Sequence, residues 1–238
     1  MSMPANPSRT ERAPATLGLA RLAGLGLLLL TPSACAFTTG HVHLDPLSRE
    51  SAANGGGGRE VILFPAVDER QEPARCGVKR NTYGMETADV LCTPEPSQWL
   101  SELILRGLDR ARFKVVTTLT AKSPDPLRIH LRLEHLFIDQ IPGFWTVTLN
   151  TDVHVVVAAD SAAGLAAERA FFVQSRSEVM GVLDSGLQAS MDQATQQLAD
   201  HIIDAVLALS KRYPSQGVAP VAEAKDFGAA LAVREVGP

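Results

Sequence analysis

The sequence predicts an α+β domain, an antiparallel sheet of about five strands with two amphipathic helices packed on one of its faces. Three observations carry this. Residues 127–139 and 144–160 alternate apolar and polar side chains, and a short "IPGF" turn joins them. Two other stretches repeat apolar residues at helical spacing. The elements run strand, helix, four strands, helix, and a one-sided sheet and two amphipathic helices need each other to bury their apolar surfaces.

Taken in order, "EVILFPAVDE" reads as a buried strand, with Pro65 placing it at an edge or a bend. "SQWLSELILRGLDRARF" reads as a helix capped by Ser97, with Trp99, Leu100, Leu103, Ile104 and Leu108 on one side and Gly107 weakening its end. "KVVTTLT" is the next strand. In the first long strand Leu127, Ile129, Leu131 and Leu133 face inward, with Arg128, His130, Arg132 and Glu134 opposite. In the second, Trp145, Val147, Leu149, Val153, Val155 and Val157 face inward, and Thr146, Thr148, Asn150, Asp152 and His154 face outward. "RAFFVQSRSEV" adds a meander strand. A long helix over 184–213 follows, with a stripe of Leu187, Met191, Ala194, Leu198, Ile202, Ala205 and Leu209, and Pro214 ends it.

The first residues are not part of that fold. Arg9 and Arg12 precede an apolar run whose uninterrupted part, 22–30, has nine residues. A membrane-spanning helix needs about 20. Followed by the small residues of "TPSAC", the pattern is a secretory signal. Cys35 stands directly after Ser33 and Ala34, as in the lipobox of bacterial lipoproteins, although Pro32 occupies a position where leucine is usual. The expected organisation is a signal peptide (1–34), acylation at Cys35, a flexible connector (35–58), one domain (59–213) and a loose tail (214–238). As coil, the 23 residues 36–58 would reach roughly 25 Å and hold the domain off the membrane. Within them, "HVHLD" could form a short strand.

Removing 1–34 takes away three basic residues and one acidic one, and so moves the net charge from −4 to −6. An acidic chain without a basic block lacks the electrostatic footprint of a nucleic-acid-binding protein. It also lacks the polybasic patch that would hold it to anionic lipid without an anchor. In an oxidising compartment Cys76 and Cys92 should form a disulfide around "CGVKRNTYGMETADVLC". Zinc is the rival reading, but two cysteines without nearby histidines fall short of four ligands.

No G-x-S-x-G, P-loop, H-E-x-x-H or C-x-x-C frame occurs, and the reading names no catalytic residue, cofactor or metal ligand. Polar residues concentrate in and beside the cysteine-bracketed segment, taken here as a loop. In one reading it is structural: Asp68 pairs with Arg80, Asn81 and Gly84 supply turn conformations, and Tyr83 and Met85 pin it to the core. In the other it presents Arg80 and Tyr83 to a partner, since tyrosine and arginine often anchor interfaces.

The segments "VDER", "VKRNTYGMETADV", "WLSELILRGLDRARFKVV", "GFWTVTLNTDVHVVVAAD" and "AERAFFVQSRSEV" together resemble the YajG-type family of bacterial lipoproteins. The resemblance rests on the order and spacing of Asp68 and Arg70, of Arg80, Asn81, Tyr83, Gly84 and Met85, and of Gly143 and Phe144. The cysteine pair and the tail are not part of that pattern. The resemblance implies an envelope lipoprotein with no assigned enzymatic activity. The expectation is a lipid-anchored interaction module, bound to the membrane through Cys35 and to another envelope protein or the cell wall, with Asp68, Arg70, Arg80, Asn81 and Tyr83 as partner-binding candidates. Ala36, rather than aspartate, after Cys35 favours the outer membrane, facing the periplasm. A small-ligand or lipid carrier is the alternative. A hydrolase using Asp152, His154 and Glu134 has no support beyond strand alternation.

Overall fold

The alternating run from residue 127 becomes the longest strand and the organiser of the sheet. The computed structural model describes residues 37–46, 54–116, 121–162, 164–180 and 184–213. The expected signal peptide, the expected acylation site Cys35 and the expected tail beyond Tyr213 lie outside the described residues. The strands are β1 (Gly40–His43), β2 (Glu60–Leu63), β3 (Val67–Asp68), β4 (Arg75–Arg80), β5 (Glu86–Thr93), β6 (Lys114–Val116), β7 (Leu127–Pro142), β8 (Val147–Asp160) and β9 (Ala166–Val179). The helices are α1 (Pro96–Arg110) and α2 (Asp184–Arg212).

The fold is α+β, but the sheet is a mixed one of nine strands, which overturns the five-strand antiparallel expectation. One edge of β7 pairs antiparallel with β8 along its whole length, from Arg128↔Asp160 to Pro142↔Val147. The other edge takes β2, β3 and β4 in turn, all parallel, at Val61↔Leu127, Val67↔Arg132 and Gly77↔Ile138. Residues 60–80 thus run up one side of β7 as a line of short strands, broken at Pro65 and again before Arg75. Parallel pairing needs a long crossover. Here the crossover contains the β4–β5 hairpin, α1 and β6, and residue alternation cannot announce it.

The core lies between one face of the sheet and both helices. The predicted stripes of α1 and α2 are all buried, as are Leu127, Ile129, Leu131 and Leu133. A register shift between Leu133 and His135 then moves the inward set of β7 to Leu136, Ile138 and Gln140. Gly107 does more than weaken α1. It is buried, and a Cβ there would come within 2.9 Å of Ile203, so α1 and α2 cross closely at this point. Ser97 does not cap α1: the N-cap is Glu95, Pro96 opens the helix, and the Ser97 hydroxyl donates to the Glu95 carboxylate.

Parts of the expected connector belong to the fold. Gly40–His43 pairs parallel with β5, with Val42 and Leu44 buried. Gly55 and Gly56 donate to the Ala111 carbonyl, and Gly58 donates to that of Arg112. The 25 Å stand-off therefore shrinks: only residues 36–39 separate Cys35 from β1.

Glu60 anchors the β2–β6 edge. Its carboxylate accepts from Lys114 Nζ, from Ser123 N at 2.7 Å and from Lys122 N at 2.8 Å. The hydrogen bond from Lys114, followed by those from the two amides, lowers its pKa against partial desolvation. A depressed folded-state pKa contributes stability that is fully present above the unfolded value, about 4.3, and is lost as pH falls through the folded value. Urea midpoints followed from neutral to acid pH should therefore fall more steeply for the native chain than for Glu60→Gln. Equal slopes would show that Glu60 adds nothing. A second expectation concerns Gly77, where a Cβ would collide with the Ile138 carbonyl of β7. Gly77→Ala should cost about 1–3 kcal/mol or more in denaturant unfolding.

Candidate functional site

The cysteine-bracketed segment is a β-hairpin, not a loop. β4 and β5 pair antiparallel from Arg75↔Leu91 to Arg80↔Glu86, and Cys76 falls at a register shift near the base. The disulfide joins Cys76 to Cys92 with Cα atoms 5.7 Å apart, within the usual range for such bridges. It ties both strands where the hairpin leaves the core.

Asp68 and Arg70 form a clamp beneath it. Arg70 Nε and Nη2 donate to the two Asp68 oxygens at 2.9 and 2.8 Å, and the side chains are only 7% and 6% exposed. Arg70 Nη1 also donates to the carbonyls of Arg75 (3.0 Å) and Leu136 (3.4 Å), and Nη2 to that of Pro73. One guanidinium thus fastens the turn before β4 to β7, through the planar fork that suits arginine to paired acceptors. The expected Asp68–Arg80 pair does not form. Arg80 Nε donates to Asp139 on β7 at 2.7 Å and Nη1 to the Gly84 carbonyl at 3.1 Å, and the Asp139 hydrogen bond raises its pKa.

Asn81 builds the tip. Its side-chain oxygen accepts from the amides of Tyr83 and Met85, each at 3.0 Å, and Gly84 turns the chain at φ 79°. The turn projects Tyr83 and Met85 away from the protein, 86% and 59% exposed, so they do not pin the hairpin to the core. Of the five candidate residues, Tyr83 alone offers its side chain to solvent. Asp68 and Arg70 are buried against each other, and Arg80 and Asn81 hold the hairpin together.

The neighbouring turn was missed as a surface. The chain reverses at 143–146, where Gly143 N donates to the Thr146 carbonyl, so β8 starts only at Val147. Phe144 and Trp145 stand in that turn, 89% and 79% exposed, with rings 4.8 Å apart edge-to-face. Trp145 is therefore not inward-facing. The two aromatics next to "PG" were the available signal.

The long edge of the sheet is the other feature. β9 pairs with β8 from Ala166 to Val179, and among the described residues no strand pairs with its second edge. Phe172 stands 58% exposed at its middle.

On the outward face His154 Nδ1 lies 3.1 Å from Glu134, and Arg132 bridges to Glu168 at 3.0 Å. Asp152 lies on the same face two residues from His154. Asp152, Glu134 and His154 lie half-buried on the outward face of the sheet. Among the described residues no three His, Cys, Asp or Glu side chains gather as a metal site, and His43 engages Gln188 through its backbone.

No family model matches the chain, and no curated protein matches it in sequence. Among solved structures it is similar to a Xanthomonas campestris protein of the DUF330 family, at 12% identity over 74% of this chain and 97% of that one, with a TM-score of 0.55. It also aligns with a Helicobacter pylori homolog of a neuraminyllactose-binding hemagglutinin (11% identity, 68% and 92% covered, TM-score 0.34). A hypothetical protein of Chlamydia trachomatis aligns over 63% of this chain and 96% of its own, at 11% identity and a TM-score of 0.37. The first shows a shared fold with a bacterial DUF330 protein, and nothing about activity.

Removing one partner of a buried ion pair leaves the other charge uncompensated. Arg70→Met should therefore cost about 3–5 kcal/mol in urea unfolding, whereas Tyr83→Ser should stay within about 0.5 kcal/mol of the native chain. Equal small effects would show that the clamp is dispensable.

Proposed function

We propose that the chain is a lipid-anchored, non-enzymatic lipoprotein of the bacterial envelope, of the YajG type on its sequence motifs, and that it works as a protein-interaction module. In this reading acylated Cys35 holds it at the outer membrane, facing the periplasm. The 14-residue edge of β9, with no second partner strand among the described residues, carries the reading. Such an edge is a template on which an extended segment of another protein can add a strand, taking affinity from main-chain hydrogen bonds and specificity from alternate side chains. The charged residues Glu168, Arg169, Arg176 and Glu178 along it discourage indiscriminate pairing and ask for a partner of matching pattern.

In this reading the protein contact is on β9, separated from the hairpin by β7 and β8, since four of the five candidate residues are occupied with holding the fold. The carrier alternative needs an apolar chamber between sheet and helices. The space bounded by Val157, Phe171, Ile202 and Val206 has a cavity volume of about 10 Å³, room for a water and not for an acyl chain.

Photo-crosslinking in living cells tests the reading. A photoreactive residue replacing Phe172 should give one discrete adduct with another envelope protein. No adduct from 172, with the protein folded and membrane-bound, would remove the β9 edge as the contact. An adduct from position 83 alone would move the contact to the hairpin.

A further inference from the structure

Nine large apolar side chains are exposed among the described residues, and six of them lie at one end of the sheet: Tyr83, Met85, Ile141, Phe144, Trp145 and Met180. The strand pairing gathers them. Lys79↔Gln140 sets the end of β4 beside that of β7, and Pro142↔Val147 and Val147↔Val179 bring the start of β8 and the end of β9 to the same level. Both hairpin tips and Met180 therefore project beyond one end.

The N-terminal chain enters from that same end. β5 starts at Glu86, just below the tip, and β1 runs parallel to it from Gly40↔Val90. Cys35 lies five residues before Gly40, at most roughly 17 Å of extended chain. From Val90 back to Glu86 is about 13 Å of strand. A lipid on Cys35 would thus be held near the level of the tips.

We infer that this end is a membrane-docking surface, whose tips seat in the interface of the bilayer that holds the anchor. The inference rests on the proposed acylation of Cys35. Tryptophan, tyrosine and phenylalanine combine an apolar ring with geometry suited to the headgroup boundary, where aromatic belts collect. Among the described residues no unpaired basic cluster flanks the tips. Arg80 is paired with Asp139 and Glu86, and Lys79 is buried against Asp184. Seating therefore relies on apolar burial rather than attraction to anionic lipid, and it should change little with salt.

The sequence has two tryptophans. Trp99 is fully buried in the core and Trp145 is exposed at the tip, so the difference between the native chain and Trp145→Phe isolates the tip signal. The full acylated chain is reconstituted in phosphatidylcholine vesicles with brominated acyl chains. Docking predicts that Trp145 emission shifts to the blue and is quenched by the bromines, at low and high salt alike. Phe144→Ser with Tyr83→Ser should weaken vesicle binding of Cys35→Ala protein by about tenfold or more, and each variant should keep its Trp99 emission as a check of folding. Vesicle-bound protein whose Trp145 is neither shifted nor quenched would overturn docking while leaving the anchor intact. Chain that is never acylated yet shows lipid-dependent quenching as Cys35→Ala would sink the anchor and keep the docking surface. A Trp145 shift that follows protein concentration rather than lipid would assign the end to a second copy of the chain and overturn the inference.

Discussion

The pairing of β7 on both of its edges is the constraint from which the rest of the structure follows. One edge accepts β8 over its full length, and the other accepts three short strands running the same way as β7 itself. That second edge decides where residues 60–80 lie, and hence where the hairpin projects and how closely β4 approaches. Gly77 is the point of contact, with no room for a side chain against the β7 backbone. The Asp68–Arg70 clamp and the disulfide both act at the same junction, where the line of short strands becomes a hairpin.

What the sequence made legible was what period alone encodes. The strands at Leu127 and Val147, the helical stripes and the disulfide partners follow from local alternation, spacing and compartment. The parallel strands do not. β2, β3 and β4 hold four, two and six residues, too few for alternation to speak, and their partners lie some 60 residues away. The hairpin read as a loop because Gly77, Asn81 and Gly84 break up its apolar pattern. Trp145 was assigned inward by extending the β8 alternation two residues too far, into a turn whose closure depends on Gly143.

At the candidate site, sequence reading mistook the work of most of the residues it named. Asp68, Arg70, Arg80 and Asn81 look like surface recognition groups because they are charged or polar. Each is spent on an internal bond, which is how a hairpin with little core of its own keeps its shape. Tyr83 is exposed, and its companions at the same end come from parts of the chain about 60 and 100 residues distant. Only the sheet register brings them together.

The placement of β1 has a mechanical side. Gly40–His43 lies parallel to β5, bracketed by the Leu44-to-Thr93 bond and by the contacts of His43 with Gln188 on α2. A tug on the chain from residue 39 acts along the axis of β1, so its ladder bonds share the load in shear instead of opening one at a time from an end. Were the chain tethered at its N-terminal side, such a strand would resist being peeled away, and the force would pass into both the sheet and the long helix.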